Sequence, residues 1–149
     1  MKINSIHQIE ITSRCNLSCR YCVHPAMARS KEDMSDETWS AALGWVEKFC
    51  AAGTQGLELN LCGIGESTLH PKFGEWCIEA RRVIGNKRRL ILATNGVGLT
   101  EDHALAMRYA QMDVWVSLHR PEKAGPAVEL LKRYGVLRGT SSDPSLSAV

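Results

Sequence analysis

The chain has 149 residues, of which 44% are hydrophobic and 23% are charged, and its formal net charge is +2. This length suits one domain with a single core, and so small a charge gives no reason to expect nucleic-acid or membrane binding. No segment has the features of a signal peptide or the roughly 20 apolar residues that span a bilayer, so we expect a cytoplasmic protein.

The first predicted element is a strand over residues 6–12, and three cysteines follow it closely. Cys15, Cys19 and Cys22 lie in the string CNLSCRYC. Because disulfides are rare in a reducing compartment, cysteines this close together indicate metal ligands. Three thiolates can hold three corners of a four-iron cluster and leave the fourth iron without a protein ligand.

A zinc site is the alternative interpretation of this string. Structural zinc takes four ligands, and His24 is the close side chain that could complete a Cys3His set with the three cysteines. The spacing of the cysteines and their position after a strand favour the iron–sulfur cluster. The other cysteines fall within apolar patterns and are expected to be buried, and they are Cys50, Cys62 and Cys77.

Helices and strands alternate after the cysteine loop. Ser35 is the predicted N-cap of a first helix that ends at Gly53, and a second strand covers residues 57–62 before the turn GIGES. The second helix is predicted to bury one face, formed by Phe73, Trp76, Cys77, Ala80 and Val83 or Ile84. The later elements are a strand over 89–94, a helix capped by Thr100, a strand over 113–119 and a helix from about Pro126 to Tyr134, stopped by Gly135.

Four strands alternating with four helices predict an α/β fold with a parallel sheet, curved as in a partial barrel of the TIM type. The loops that follow the strands should then meet at one edge of the sheet, and they contain the three cysteines, GIGES, TNG and SLHR. Residues 136–138 offer a further short strand, which gives a folded domain over residues 1–138. Residues 139–149 are predicted to be a disordered tail. The tryptophans are predicted to pack in the core or between helices, and they are Trp39, Trp45, Trp76 and Trp115.

The string CNLSCRYC resembles the signature of the radical S-adenosylmethionine superfamily, in which CxxxCx(aromatic)C follows the first strand. Tyr21 occupies the aromatic position. The resemblance continues through GIGESTLHPKF, LATNGVGLTEDHA and DVWVSLH and covers residues 6–134, and the cysteine motif is its specific part. The branch that it resembles most includes peptide-modifying maturases and molybdenum-cofactor type enzymes.

The resemblance implies a [4Fe-4S] cluster on Cys15, Cys19 and Cys22, with S-adenosylmethionine bound at the open iron. It also implies that an electron from an external donor drives reductive cleavage of S-adenosylmethionine. The product, a 5′-deoxyadenosyl radical, would then abstract hydrogen from an unknown substrate, either a peptide or a small molecule.

The resemblance also implies which residues contact S-adenosylmethionine. Tyr21 would lie beside the adenine. Gly65 and Glu66 match the motif that binds the methionine amino end, where glycine permits close backbone approach and a carboxylate suits an ammonium group. Asn95 is first a turn former whose side chain can also face the cofactor, and Ser117 matches a polar position near its ribose or carboxylate.

The chain supplies four of the six βα units that this fold usually has. An unpaired fourth strand would expose a hydrogen-bonding edge, so we expect an oligomer or a partner to cover it. The chain is expected to be a fragment, a naturally short member or a protomer completed by a partner, and its Ser-rich tail favours the fragment. The alternative to an active enzyme is therefore a non-catalytic module that binds the cluster or cofactor and acts with a partner.

Overall fold

The computed structural model describes residues 6–54 and 56–141. Within these ranges the helices are α1 (Asp36–Ala51), α2 (Phe73–Ile84), α3 (Glu101–Tyr109) and α4 (Pro121–Arg133). The strands are β1 (Leu59–Asn60), β2 (Leu90–Thr94), β3 (Asp113–Ser117) and β4 (Leu137–Ser141). None of the helices in the described part of the chain combines the length and the hydropathy that crossing a membrane requires.

The four strands form one parallel sheet in the order β1-β2-β3-β4. Each strand lies beside the next one in the chain, and α2, α3 and α4 form the connections between them. This topology confirms the predicted α/β class and the predicted partial barrel. It also brings the loops after β1, β2 and β3 to the same edge of the sheet.

The helix boundaries follow the capping residues that the sequence predicts. The Ser35 hydroxyl accepts a hydrogen bond from the Thr38 backbone N–H at 3.2 Å, at the start of α1. Thr100 caps α3 in the same way and forms a reciprocal capping box with His103. Gly135 follows α4 with a φ of +68°, a left-handed conformation that glycine adopts readily.

One face of the sheet packs on the helices and the other is open. Leu92, Val114 and Val116 are buried on the packed face, together with the predicted inner face of α2. Trp39 and Trp76 belong to this core and stack at a ring distance of 4.6 Å, as predicted. The core prediction is wrong for Trp115, which points to the open face and remains 42% exposed, and for the exposed Trp45.

The predicted strand over residues 6–12 is not a regular strand. Gln8 forms a single parallel bridge with Asn60 of β1, and the Ile9 N–H donates to the Asn60 carbonyl at 2.9 Å. Farther along, Thr12 forms an antiparallel bridge with Asp33 instead. The segment changes partner because the chain beyond the cysteine loop returns beside it, so the pairing with β1 stays short.

Two predicted boundaries near the end of the domain are wrong. Helix α4 begins at Pro121 rather than Pro126, because proline is compatible with the first helical turn, where its missing N–H is not needed. Strand β4 extends through Ser141, so residues 139–141 belong to the sheet rather than to the predicted tail. Residues 142–149 of that tail lie outside the described residues.

The strand at the exposed edge of the sheet is not the one that the sequence predicts. The fourth predicted strand is β3, and it pairs with β4 in parallel from Val114 to Ser117, so it is not an edge strand. Gly139 makes this pairing possible because a Cβ atom there would lie 2.8 Å from Cε3 of the Trp115 ring. The edge that a partner could cover is therefore that of β4.

Four charged side chains form a row at the amino ends of the four strands. Glu58 and Arg89 directly precede β1 and β2, Asp113 is the first residue of β3, and Arg138 is the second residue of β4. Asp113 accepts hydrogen bonds from Arg89 Nε at 2.8 Å and from Arg138, and Arg89 also pairs with Glu58 at 3.0 Å. Burial raises the pKa of Asp113, but the two arginines outweigh it and hold the pKa below its ordinary value. Alternating charges on neighbouring strands therefore stabilise the sheet opposite the cysteine loop.

Replacing this carboxylate, Asp113→Asn, should lower the free energy of unfolding at pH 7 by about 1–2 kcal/mol. Because the pKa of Asp113 is lower in the folded state, its stabilisation is present above about pH 4 and is lost as the pH falls through the folded value. Urea denaturation of both proteins should therefore give converging stabilities below pH 4. Glu58→Gln, at an exposed pair, should cost less, and a difference for Asp113→Asn that stays constant down to pH 3 would contradict this account.

Candidate functional site

The cysteine loop is closed at its base by the two chain segments that enter and leave it. The Ser13 N–H donates to the Glu32 carbonyl at 2.9 Å, and the Met34 N–H donates to the Ile11 carbonyl at 2.9 Å. Between them, the Thr12 hydroxyl donates to the Asp33 carboxylate at 2.7 Å. These bonds fix both ends of the loop at the carboxyl edge of the sheet.

An ion pair strengthens the same closure. Arg14 donates to both carboxylate oxygens of Asp33, from Nε at 2.9 Å and from Nη2 at 2.8 Å, and it also donates to the Leu69 carbonyl at 2.7 Å. Burial raises the pKa of Asp33, but the bonds from Thr12 and Arg14 outweigh it and keep the pKa below its ordinary value. Arg14 thus ties the base of the cysteine loop to the chain that follows GIGES.

The three cysteines are half-buried on this loop and none forms a disulfide. A turn brings the Cys22 N–H to the Cys19 carbonyl at 3.1 Å. Burial raises the pKa of the Cys15 thiol, and the negative charges of Glu66, Cys19 and Cys22 raise it further. Because negative charges at these thiols repel one another, a positively charged metal centre would favour their ionised form.

The three thiols have the donor chemistry that a four-iron cluster needs. Among residues 6–54 and 56–141, no three His, Cys, Asp or Glu side chains lie close enough to hold one metal ion. A four-iron cluster places each cysteine on a different iron, so its ligands need not converge on one point. His24, the side chain that the alternative zinc site would need as its fourth ligand, is buried, and its Nε2 lies 3.0 Å from the Ser13 carbonyl at the base of the loop.

Gly65 lies directly against the backbone that leads into Cys15. A Cβ atom at Gly65 would lie 2.7 Å from the Arg14 carbonyl oxygen and closer still to that of Thr12. The next N–H, that of Glu66, donates to the Arg14 carbonyl at 2.7 Å. Gly65 is therefore required for two loops to touch, and its predicted contact with a cofactor stays a prediction.

The Glu66 carboxylate joins the loops after β1 and β2. It is 3% exposed, and its Oε1 accepts from the Thr68 hydroxyl at 2.9 Å and the Thr94 hydroxyl at 2.8 Å. Its Oε2 accepts from the Asn95 N–H at 2.7 Å. A carboxylate oxygen can accept two hydrogen bonds, so Oε2 has capacity for one more donor.

The Asn95 side chain reaches the cysteine loop. Its Nδ2 donates to Asn16 Oδ1 at 2.8 Å and lies 3.8 Å from the Cys15 sulfur. Its Oδ1 accepts from the Val97 N–H at 2.8 Å, which is typical of a side chain that stabilises its own turn. Gly96 has a φ of +71°, so the predicted Asn-Gly turn is confirmed.

Tyr21 and Ser117 lie beside the loop that follows β3. Tyr21 is 48% exposed, and its ring lies 5.1 Å from the His119 ring, which links the cysteine loop to the loop after β3. The Ser117 hydroxyl lies 3.4 Å from that of Ser141, at the ends of β3 and β4. The structure therefore links Cys15, Glu66 and Asn95 through hydrogen bonds and places Tyr21 beside His119.

Sequence reasoning did not identify several residues that build the site. Glu10 accepts hydrogen bonds from the N–H groups of Ile64, at 2.6 Å, and Gly65, and it also pairs with Arg29. The sequence does contain a signal for Glu10. This residue lies between the buried Ile9 and Ile11, so in an extended segment its side chain points to the other face. Other residues that were not identified include Thr12, Ser13, Arg14, Asn16, Asp33, Thr68 and Thr94.

Part of this chain is similar in sequence to proteins from other organisms. A cofactor-modifying protein for tungsten-containing aldehyde ferredoxin oxidoreductase from Pyrococcus furiosus is 34% identical over 97 residues, which are 63% of this chain and 24% of that protein. A PqqA peptide cyclase from Rhizobium meliloti is 36% identical over 106 residues, which are 70% of this chain and 26% of that protein. The chain thus spans about a quarter of the length of these two relatives.

Solved structures show the same fold. BtrN in complex with AdoMet and 2-DOIA superposes with a TM-score of 0.75 at 19% identity, over 93% of this chain and 57% of BtrN. The structure of anSMEcpe with bound AdoMet gives a TM-score of 0.71 at 25% identity, over 89% of this chain and 41% of anSMEcpe. The model of the radical SAM superfamily matches residues 9–120, from the segment before the cysteines to the loop after β3. The chain therefore belongs to the radical SAM superfamily.

Proposed function

We propose that this chain binds a [4Fe-4S] cluster through Cys15, Cys19 and Cys22 and binds S-adenosylmethionine at the iron that these cysteines leave open. The observation that carries the proposal is the cysteine loop, with three half-buried thiols at the carboxyl edge of a parallel sheet. When both groups are bound, they supply reductive cleavage of the sulfonium C–S bond, giving methionine and a 5′-deoxyadenosyl radical that abstracts hydrogen from a substrate.

The protein residues around the cysteines would orient S-adenosylmethionine. The free acceptor capacity of Glu66 Oε2 supports binding of the methionine ammonium group, and Gly65 lets the GIGES loop approach closely. The exposed Tyr21 would stack on the adenine. Ser117, at the end of β3, would contact the ribose or the carboxylate.

A peptide is the substrate class that we favour. The support is the similarity to a PqqA peptide cyclase, and to anSMEcpe, whose structure with AdoMet and the Cp18Cys peptide superposes with a TM-score of 0.71 at 24% identity. The open face of the sheet would offer the exposed Trp115 to such a substrate. An external one-electron donor would supply the electron for reductive cleavage.

A non-catalytic module is the second candidate function. The observation that favours it is β4, which lies at the edge of the four-stranded sheet in the described part of the chain and leaves backbone groups for a further strand to pair with. In this case the chain would bind the cluster or cofactor without turnover, and a partner or a second copy would cover the edge of β4.

Anaerobic reconstitution with iron and sulfide should give a brown protein with about four irons per chain. Addition of S-adenosylmethionine and dithionite should then release 5′-deoxyadenosine and methionine, measured by chromatography and mass spectrometry. Release of 5′-deoxyadenosine in excess over protein would reject the non-catalytic module. Cofactor binding without release would support it.

Cysteine variants provide the matched control for that experiment. Cys22→Ser should lose the cluster absorption and most of the bound iron, whereas Cys50→Ser, in α1, should retain both. A colourless wild-type protein that retains one zinc ion would contradict the iron–sulfur proposal, because the cysteines would then bind a single structural zinc ion.

Gly65→Ala should lower the free energy of unfolding by about 1–3 kcal/mol and raise the Kd for S-adenosylmethionine about tenfold or more. The physical reason is the added Cβ atom, which would collide with the backbone before Cys15 and push the two loops apart. Urea denaturation and calorimetric titration of the reconstituted protein measure the two effects.

Gly125→Ala, within α4, is the matched control for this substitution. Apart from the adjacent residues and the backbone of α4 itself, no atom of the described residues lies within 4 Å of a Cβ placed at Gly125. The variant should therefore be as stable as wild type or more stable by about 0.5–1 kcal/mol. If Gly65→Ala behaved like Gly125→Ala in both measurements, the close approach of the two loops would have no role in binding.

A further inference from the structure

We propose that Asn95 is a positioning residue that donates an N–H···S hydrogen bond to Cys15 and thereby makes the cluster easier to reduce. The inference rests on the proposed function, because it requires a cluster held by Cys15. It concerns how the protein sets the redox potential of that cluster, which is separate from whether the cluster and S-adenosylmethionine bind.

The direction of the Asn95 amide is fixed by two backbone groups of Val97. The Val97 N–H donates to Asn95 Oδ1 at 2.8 Å, so Nδ2 must point the other way. The Val97 carbonyl accepts from Asn16 Nδ2 at 2.7 Å, so Asn16 presents its Oδ1 to Asn95. One N–H of Asn95 then meets Asn16, and the other is free for the Cys15 sulfur at 3.8 Å.

Asn95 is also held in place by its surroundings. The residue is 8% exposed, and its backbone N–H donates to the buried Glu66 carboxylate at 2.7 Å. The left-handed conformation of Gly96 completes the turn. Moving the amide away from the sulfur would break its two part-buried hydrogen bonds, with Asn16 and with the Val97 N–H, so the donor is preorganised before a cluster binds.

A donor at this position favours the reduced form of a cluster. Reduction adds one electron, taken from a low-potential one-electron donor, and it increases the negative charge on the ligating sulfurs. A hydrogen bond to a sulfur stabilises that charge and raises the reduction potential. The nearby Glu66 carboxylate acts in the opposite direction, because its negative charge disfavours further negative charge at Cys15. No bond to Asn95 forms or breaks during the step.

The test is a redox titration of reconstituted wild type, Asn95→Leu and Asn95→Asp, followed by electron paramagnetic resonance. At a fixed solution potential near the wild-type midpoint, Asn95→Leu should show a ratio of reduced to oxidised cluster about fivefold lower than wild type. Asn95→Asp keeps an acceptor for the Val97 N–H and so retains the turn. Its ratio should be at least as low, because it loses the donor and adds a negative charge near the sulfur. Asn86→Leu, in the exposed turn after α2, makes the same replacement outside the site and should match wild type.

A spectroscopic measurement completes the test. The backbone N–H groups of Leu17 and His24 also donate to Cys15 and Cys22, so their exchangeable deuterons should couple to the cluster in every variant. After exchange into heavy water, the reduced wild-type cluster should show one further deuteron coupling that is absent from both Asn95 variants. An unchanged ratio in Asn95→Leu, or the same set of deuteron couplings in wild type and both variants, would overturn the inference while the proposed function stands. A wild-type protein that takes up no iron–sulfur cluster would instead overturn the proposed function.

Discussion

The contact between Gly65 and the backbone of residues 12–14 is the constraint on which the rest of the site depends. Because residue 65 has no Cβ atom, the GIGES loop can approach until the Glu66 N–H donates to the Arg14 carbonyl. That approach places the Glu66 side chain beneath the cysteine loop and within reach of the turn after β2. A larger residue would separate the loop that carries the cysteines from the loop that carries Glu66.

The buried Glu66 carboxylate then organises the site from inside. Burying a carboxylate is costly unless donors surround it, and Thr68, Thr94 and Asn95 supply those donors from two loops. The bond to the Asn95 backbone fixes the turn whose side chain reaches Cys15. Glu66 therefore has a structural role in addition to the proposed role in binding S-adenosylmethionine, and its substitution should disturb more than one contact.

Residues that stabilise the sheet and residues of the candidate site lie at opposite ends of the strands. The row of charges around Asp113 joins neighbouring strands at their amino ends, while the loops at the carboxyl ends carry the cysteines, Glu66 and Asn95. Changes around Asp113 should therefore affect stability more than binding. This separation is typical of α/β folds, in which the loops after the strands supply the functional residues.

The sequence by itself determined the alternation of strands and helices, the capping residues Ser35 and Thr100, and the cysteine motif, because these features depend on local periodicity and on spacing along the chain. Only the tertiary structure decided that Trp115 is exposed, that residues 139–141 extend β4, and that the Asn95 amide reaches the Cys15 sulfur. Each of these three facts depends on which segments lie side by side in space, across 24 residues between Trp115 and Gly139 and 80 between Cys15 and Asn95. Local sequence patterns do not predict contacts between residues that are so far apart in the chain.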